Sequence, residues 1–179
     1  AAVTSASMPH AASTTAQMAL GDALAVALLD ARGFEEGDFA RSHPGGALGR
    51  KLLVHVRDLM RQGELVPRVA PDTAFTEMLR EMGGTGMGAT AVIDAAGRPI
   101  GVFTDGDLRR LIEKGIDLRT IQAAEVMHAH PRTIRADRLA AEAADLMEQF
   151  KINCMLVVDD SGVLVGAFNS NDLMRAKVI

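Results

Sequence analysis

A chain of 179 residues has room for one ordinary domain with an appendage, or for two small domains that share a core. Hydrophobic residues make up 48% and charged residues 23%, the balance of a globular protein, and a formal net charge of −4 without basic runs argues against a nucleic-acid partner. The single cysteine, Cys154, excludes an intrachain disulfide; no apolar run approaches the ~20 residues of a membrane span, and no basic stretch leads an apolar one as in a secretory signal, so a cytoplasmic address is expected.

Ala1 to Ala16 is small, polar and aperiodic, and reads as a flexible lead or as part of a domain cut away upstream. Met18 to Arg32 carries strong helix formers and stops at Gly33, a suitable C-cap. Its apolar residues (Leu20, Leu24, Val26, Leu28 and Leu29 among them) surround nearly the whole helix, so it expects burial against a partner. Beyond it lies an internal duplication. With a shift of 65 residues Asp72 meets Asp137, Met82 meets Met147, Val92 meets Val157, Gly101 meets Gly166, Phe103 meets Phe168 and Asp107 meets Asp172. Val56 to Met60 matches Ala123 to Met127 once two further residues are allowed.

Each copy has the same pattern. A short extended segment (Arg68-Val69; Thr133-Ile134) leads to a helix whose apolar residues recur every three or four positions: Phe75, Met78, Leu79 and Met82, then Ala140, Ala143, Ala144 and Met147. Buried strands follow at 89–93 and 155–158, then turns at Gly97 and Gly162, second strands at 100–103 and 164–168, and a closing helix led by Asp. The fold class is therefore mixed α and β, two β-α-β-β-α repeats. Neither copy can bury its sheet alone, so the two are expected to pack face to face about a pseudo-twofold axis and leave two related clefts.

Chemistry concentrates where the second strand of each copy runs into the closing helix: Gly101-Val-Phe-Thr-Asp-Gly-Asp107 and Gly166-Ala-Phe-Asn-Ser-Asn-Asp172. Glycine at the strand permits a close approach by backbone or ligand. A carboxylate at the helix start can accept both hydroxyls of a ribose, and nearby helix N–H groups can hold phosphate. Thr104-x-x-Asp107 equally fits a helix-capping box, and both readings stand on spacing alone. With no Trp, no Tyr and ten Met, any bound ring would rest on aliphatic, Met or Phe side chains.

The duplicated G-h-h-[ST]-x-x-D junction, preceded each time by a helix ending in Leu/Val-Met, resembles the cystathionine-β-synthase (CBS) domain pair over Val56 to Val178. That resemblance implies binding of an adenine nucleotide or another phosphorylated ligand, with Thr104 toward phosphate and Asp107 toward ribose; in the second copy Asp172 remains for ribose while Asn169 replaces the hydroxyl of the pattern. Ser13 to Leu29 and Ser42-His-Pro-Gly-Gly-Ala-Leu-Gly-Arg-Lys51 are similar to the end of the sugar isomerase domain of D-arabinose 5-phosphate isomerases, where it leads into a CBS pair. The implied organisation is a lead and isomerase remnant over 1–52, a first repeat over 53–118 and a second over 119–179.

His43 matches the active-site histidine of that family. A histidine without a phosphate cradle or carboxylate partner does not make an isomerase, so no turnover is expected from this chain. Ligand contacts are expected from Thr104, Asp107, Arg109, Asn169, Asp172, His128, Met127 and Thr133, with no metal. The candidate ligands are CMP-Kdo, as an activated downstream sugar, and AMP or ATP. The partners expected are the small molecule, the chain's own isomerase domain and further copies in a homo-oligomer; an oligomerisation module without ligand is the rival reading. Gly83-Gly-Thr-Gly-Met-Gly88 joins a helix to a strand, the reverse order of a dinucleotide fingerprint, and is expected only to line a cleft. His128-x-His130 is read as a solvated turn within reach of an anionic ligand.

Overall fold

The computed structural model describes residues 9–35, 38 and 53–179, so His43 lies outside the described residues. Helix α1 spans Pro9–Ala31, starting earlier than the composition suggests. Proline suits the first helical position because its missing N–H would have no intrahelical partner, and the alanines that follow propagate the helix through a stretch expected to be flexible. The helix ends as expected. Gly33 takes φ +61°, and the N–H of Phe34 donates to Leu29 O at 3.0 Å while that of Gly33 donates to Asp30 O at 2.9 Å. From Thr14 onward every side chain of α1 is exposed, Leu20, Leu24 and Val26 included, so the described residues do not supply the cover its composition calls for. No described helix is long and apolar enough to cross a membrane.

The remainder is two βαββα units. The first comprises β1 (Arg68–Val69), α2 (Phe75–Gly84), β2 (Ala89–Ile93), β3 (Pro99–Thr104) and α3 (Asp105–Glu113). After the short α4 (Ala123–Val126) and β4 (His128–Ala129) come β5 (Thr133–Arg135), α5 (Ala140–Phe150), β6 (Cys154–Val158), β7 (Leu164–Asn169) and α6 (Ser170–Arg175). One sheet has the order β1-β2-β3-β4 and the other β5-β6-β7, with β1 parallel to β2, β5 parallel to β6, and the hairpins antiparallel. Even the irregularities repeat: the register slips at Val92/Ile93 and again at Val157/Val158. In each hairpin an aspartate turns the chain. Asp94 Oδ1 accepts from Ala96 N–H and Arg98 N–H, and Asp159 Oδ1 accepts from Ser161 N–H and Val163 N–H.

Sequence order and packing order differ in one respect. The segment that leads into each copy packs on the other copy. His55 bridges to Leu139 and Arg61 to Ala167, whereas Gln122 bridges to Ala74 and β4 pairs with β3. Val56 accordingly belongs to the core of Ile134, Met155 and Phe168, while Ala123 belongs to that of Phe75, Val92 and Phe103. A helix lead of one turn cannot bury itself, and the edge of the opposite sheet offers it both hydrogen bonds and apolar cover. A third cluster, Val66, Met87, Ala89, Ala91, Leu156, Leu164 and Ala167, draws on both repeats and joins their sheets. The hairpin turns also meet, Leu164 N–H donating to Gly97 O at 2.9 Å.

Candidate functional site

Between the repeats lies a cleft of about 980 Å³, walled on one side by the 83–88 glycine loop, the β3–α3 junction and the 128–132 segment, and on the other by residues 151–154, Leu156 and residues 169–171. The loop takes its shape from glycine. Gly86 and Gly88 adopt φ +63° and +73°, and a Cβ on Gly88 would lie 2.9 Å from Asp105 Oδ2. Gly88 O in turn accepts from Asp105 N–H at 3.1 Å, fixing the start of α3 against the loop.

Thr104 and Asp107 adopt the capping geometry of their motif. They form a capping box: Asp107 Oδ2 accepts from Thr104 N–H at 2.9 Å and from Thr104 Oγ1–H at 2.6 Å, and Asp107 N–H donates to Thr104 Oγ1 at 3.4 Å. Capping uses only one carboxylate oxygen. The other, Oδ1, faces basic side chains at the cleft: Arg110 donates to it through Nη2, and His128 Nε2 lies 2.6 Å away. Asp107 itself is only 4% exposed. Burial opposes its ionisation, but hydrogen bonds from Thr104, His128 and Arg110 outweigh that cost and hold the carboxyl below its ordinary value.

Two of the first three amides of α3, those of Asp105 and Asp107, are committed to Gly88 O and Thr104 Oγ1. Basic character in the cleft therefore comes chiefly from side chains, in contrast to the helix N–H groups the sequence suggests. Arg110, His128, His130, Arg132 and Lys151 all line it. His130 and Lys151 hold left-handed backbone, φ 55° and 54°, which turns the chain at the rim. The guanidinium of Arg132 sits 3.9 Å above the Phe150 ring, a cation–π contact that orients it. Apolar lining comes from Met82, Met87, Val102, Ile152 and Leu156, as the lack of Trp and Tyr requires.

The remaining sequence-derived residues divide. Asn169 is buried on the cleft wall, its Oδ1 accepting from Asp172 N–H at 3.2 Å and its Nδ2 donating to Met87 O at 3.3 Å. Asp172 caps α6 and forms a two-pronged ion pair with Arg61. Arg109 points to solvent and does not line the cleft, its place being taken by Arg110, and Thr133 is exposed on β5 away from it. Met127 packs against Gly101 and does not line the cleft: a Cβ on Gly101 would overlap its Sδ, so the glycine admits a methionine rather than a ligand. Gly166 does the same for Met60, whose Sδ would lie 2.6 Å from such a Cβ. Arg61 was missed. Its signal was present, since the longer offset that pairs Met60 with Met127 also pairs Arg61 with His128. Among the described residues no cluster of three or more His, Cys, Asp or Glu could hold a metal ion.

Cys154 lines the cleft from β6, partly buried. Burial, with the charge of Asp107 adding to it, pushes its thiol up to about 11. At pH 8 the native chain should thus react with a disulfide reagent far more slowly than the same chain in urea, and equal labelling rates would show the thiol to be open and unperturbed.

Paired βαββα units with swapped leads and a cleft at the strand-to-helix junction define the class, a tandem pair of CBS domains. The CBS domain family model matches residues 56–114 and 123–179, and the chain belongs to that family. Over 167 residues, 93% of its length, it is 53% identical to the arabinose 5-phosphate isomerase KdsD of Pseudomonas aeruginosa, of which the match covers 51%. The chain spans about half the length of the curated relatives it matches. Among solved structures it is similar to an uncharacterised conserved protein from Pyrococcus horikoshii, with 27% identity, a TM-score of 0.61 and coverage of 69% of this chain and 91% of that one. It is also similar to CBSX2 in complex with AMP, at 25% identity and a TM-score of 0.58, covering 69% of this chain and 95% of that one.

Proposed function

We propose that the chain is the regulatory nucleotide- or nucleotide-sugar-binding pair of a D-arabinose 5-phosphate isomerase, and that its ligand enters the Thr104–Asp107 cleft. The observation that carries this reading is Asp107, a buried carboxylate with one oxygen anchored in a cap and the other turned to the exposed side chains of Arg110 and His128 at a cavity of about 980 Å³. A ribose diol takes over Asp107 Oδ1. Released, Arg110 and His128 join His130, Arg132 and Lys151 in facing the ligand's anionic groups, and the base lies against Met82, Met87 and Val102. AMP in the CBSX2 complex supports a nucleotide as the ligand class. Similarity to KdsD supports a parent enzyme that interconverts D-ribulose 5-phosphate and D-arabinose 5-phosphate, with the pair reporting ligand occupancy to its isomerase domain.

CMP-Kdo is the first candidate, as the activated sugar downstream of the parent reaction, and its ribose, phosphate and carboxylate suit one acid and a rim of five basic groups. Titration calorimetry of the chain with CMP-Kdo, AMP and ATP tests this. Heat from CMP-Kdo with the tightest affinity of the three sustains the reading; a preference for AMP or ATP moves it to an adenine-nucleotide sensor. Absence of heat from all three removes the ligand role and leaves a structural pair.

A further inference from the structure

The pseudo-twofold axis relates Asp107 to Asp172 and His128 to Arg61, so the two helix-start carboxylates each meet a basic residue from the lead segment packed beside them. The contacts differ in kind. His128 and Arg110 are 65% and 58% exposed and meet only one oxygen of Asp107. Arg61 is 16% exposed and grips both oxygens of Asp172, Nε to Oδ2 at 3.0 Å and Nη2 to Oδ1 at 3.1 Å. Two parallel N–H donors on one carboxylate reproduce what the two hydroxyls of a ribose would donate. Its remaining prong, Nη1, donates to Thr85 O at 2.8 Å, and Asn169 Nδ2 donates to Met87 O, so the second junction is tied twice to the loop of the first repeat. At the equivalent loop of the second repeat Ser170 N–H donates to Asn153 O, the counterpart of Asp105 to Gly88 O.

We propose that Arg61 is an internal latch that fills the ribose position of the second junction, so that the pair takes a single nucleotide, at Asp107, and a second nucleotide-type site lies closed at Asp172. This rests on the nucleotide reading of the first cleft. Arg61 is a specificity residue in the sense that it sets stoichiometry: a guanidinium built into the chain competes at an effective concentration no free ribose matches.

The test is equilibrium binding of AMP and of CMP, by calorimetry, to the unaltered 179-residue chain and to Arg61→Ala. One nucleotide per unaltered chain and two per Arg61→Ala chain is the expected result, with the double variant Arg61→Ala/Asp107→Ala keeping one. Two nucleotides on the unaltered chain, no gain in Arg61→Ala, or loss of every site in the double variant would each overturn the latch. Should Arg61→Ala fail to fold, Arg61→Met keeps the aliphatic stem and removes the prongs, with the same outcomes applying. If the unaltered chain binds neither probe, the nucleotide reading fails, and the latch is then judged on the variant alone: uptake sustains it and no uptake overturns it.

Discussion

Truncation of Phe103 to alanine is expected to lower the unfolding free energy of the chain by about 3–5 kcal/mol, the usual cost of emptying a buried ring site. Phe103 is fully buried on β3, and its ring meets that of Phe75 edge to face, 5.6 Å between centroids at 81°. The cluster it anchors contains Met78, Met82 and Val92 from its own repeat and Ala123 from the lead of the next. A void there loosens the seat of α4 as well as the sheet. Because α4 and Met127 carry the chain into β4, the variant should also bind ligand more weakly, since His128 loses its fixed register beside Asp107. Equilibrium urea unfolding of the two chains checks the first effect. A loss that large is a substantial share of the ~5–15 kcal/mol a domain possesses. A change below about 1 kcal/mol would mean the ring is not closely packed. The interface of Ala91, Leu156, Leu164 and Ala167 belongs to both repeats, so a single cooperative transition is expected to persist at a lower midpoint with an unchanged slope.

Strands and core helices were legible in the sequence because their signals are local and doubled. Arg68-Val69 and Ala89 to Ile93 fall where the pattern puts them, and Met78 and Met82 are buried as their spacing demands. Two kinds of information were not local. Which sheet edge receives a short lead depends on the facing repeat, so a shift of 65 residues finds the duplication without showing that Val56 packs with Phe168. The orientation of a side chain at a helix start was likewise beyond pattern. Adjacent arginines 109 and 110 differ by one step of the helix, about 100°, which is enough to send one to solvent and the other to Asp107. The glycines at 101 and 166 were read as close approaches by backbone or ligand, but the visitor is a methionine sulfur, chosen by the swapped lead. The α1 helix lengthened past its expected start because propensity, weak per residue, accumulates over an alanine-rich run.

Asp107→Ala should cost the chain its ligand while leaving most of its fold. A ribose diol on a carboxylate makes hydrogen bonds of the charged kind, each worth about 1.5–3 kcal/mol, so losing both weakens binding on the order of a hundredfold or more. The fold loses less, because what disappears is one helix cap, typically about 1 kcal/mol. Its neighbours Arg110 and His128 are exposed and rehydrate readily once the carboxylate is gone. Calorimetry set against urea unfolding separates the two effects, and a variant that binds nucleotide as before would remove Asp107 from the site. The pH dependence supplies a second readout with a definite sign. The folded carboxyl is held below its unfolded value of about 3.9, so its stabilising contribution is fully present above that pH and is lost as pH falls through the depressed folded value. Asp107→Asn, which has no such titration, should therefore lose less stability than the unaltered chain across the acid limb, even though it begins less stable at neutral pH. Parallel acid limbs for the two chains would mean that the carboxyl titrates alike in folded and unfolded states, and the bonds from Thr104, His128 and Arg110 would then not be holding its charge.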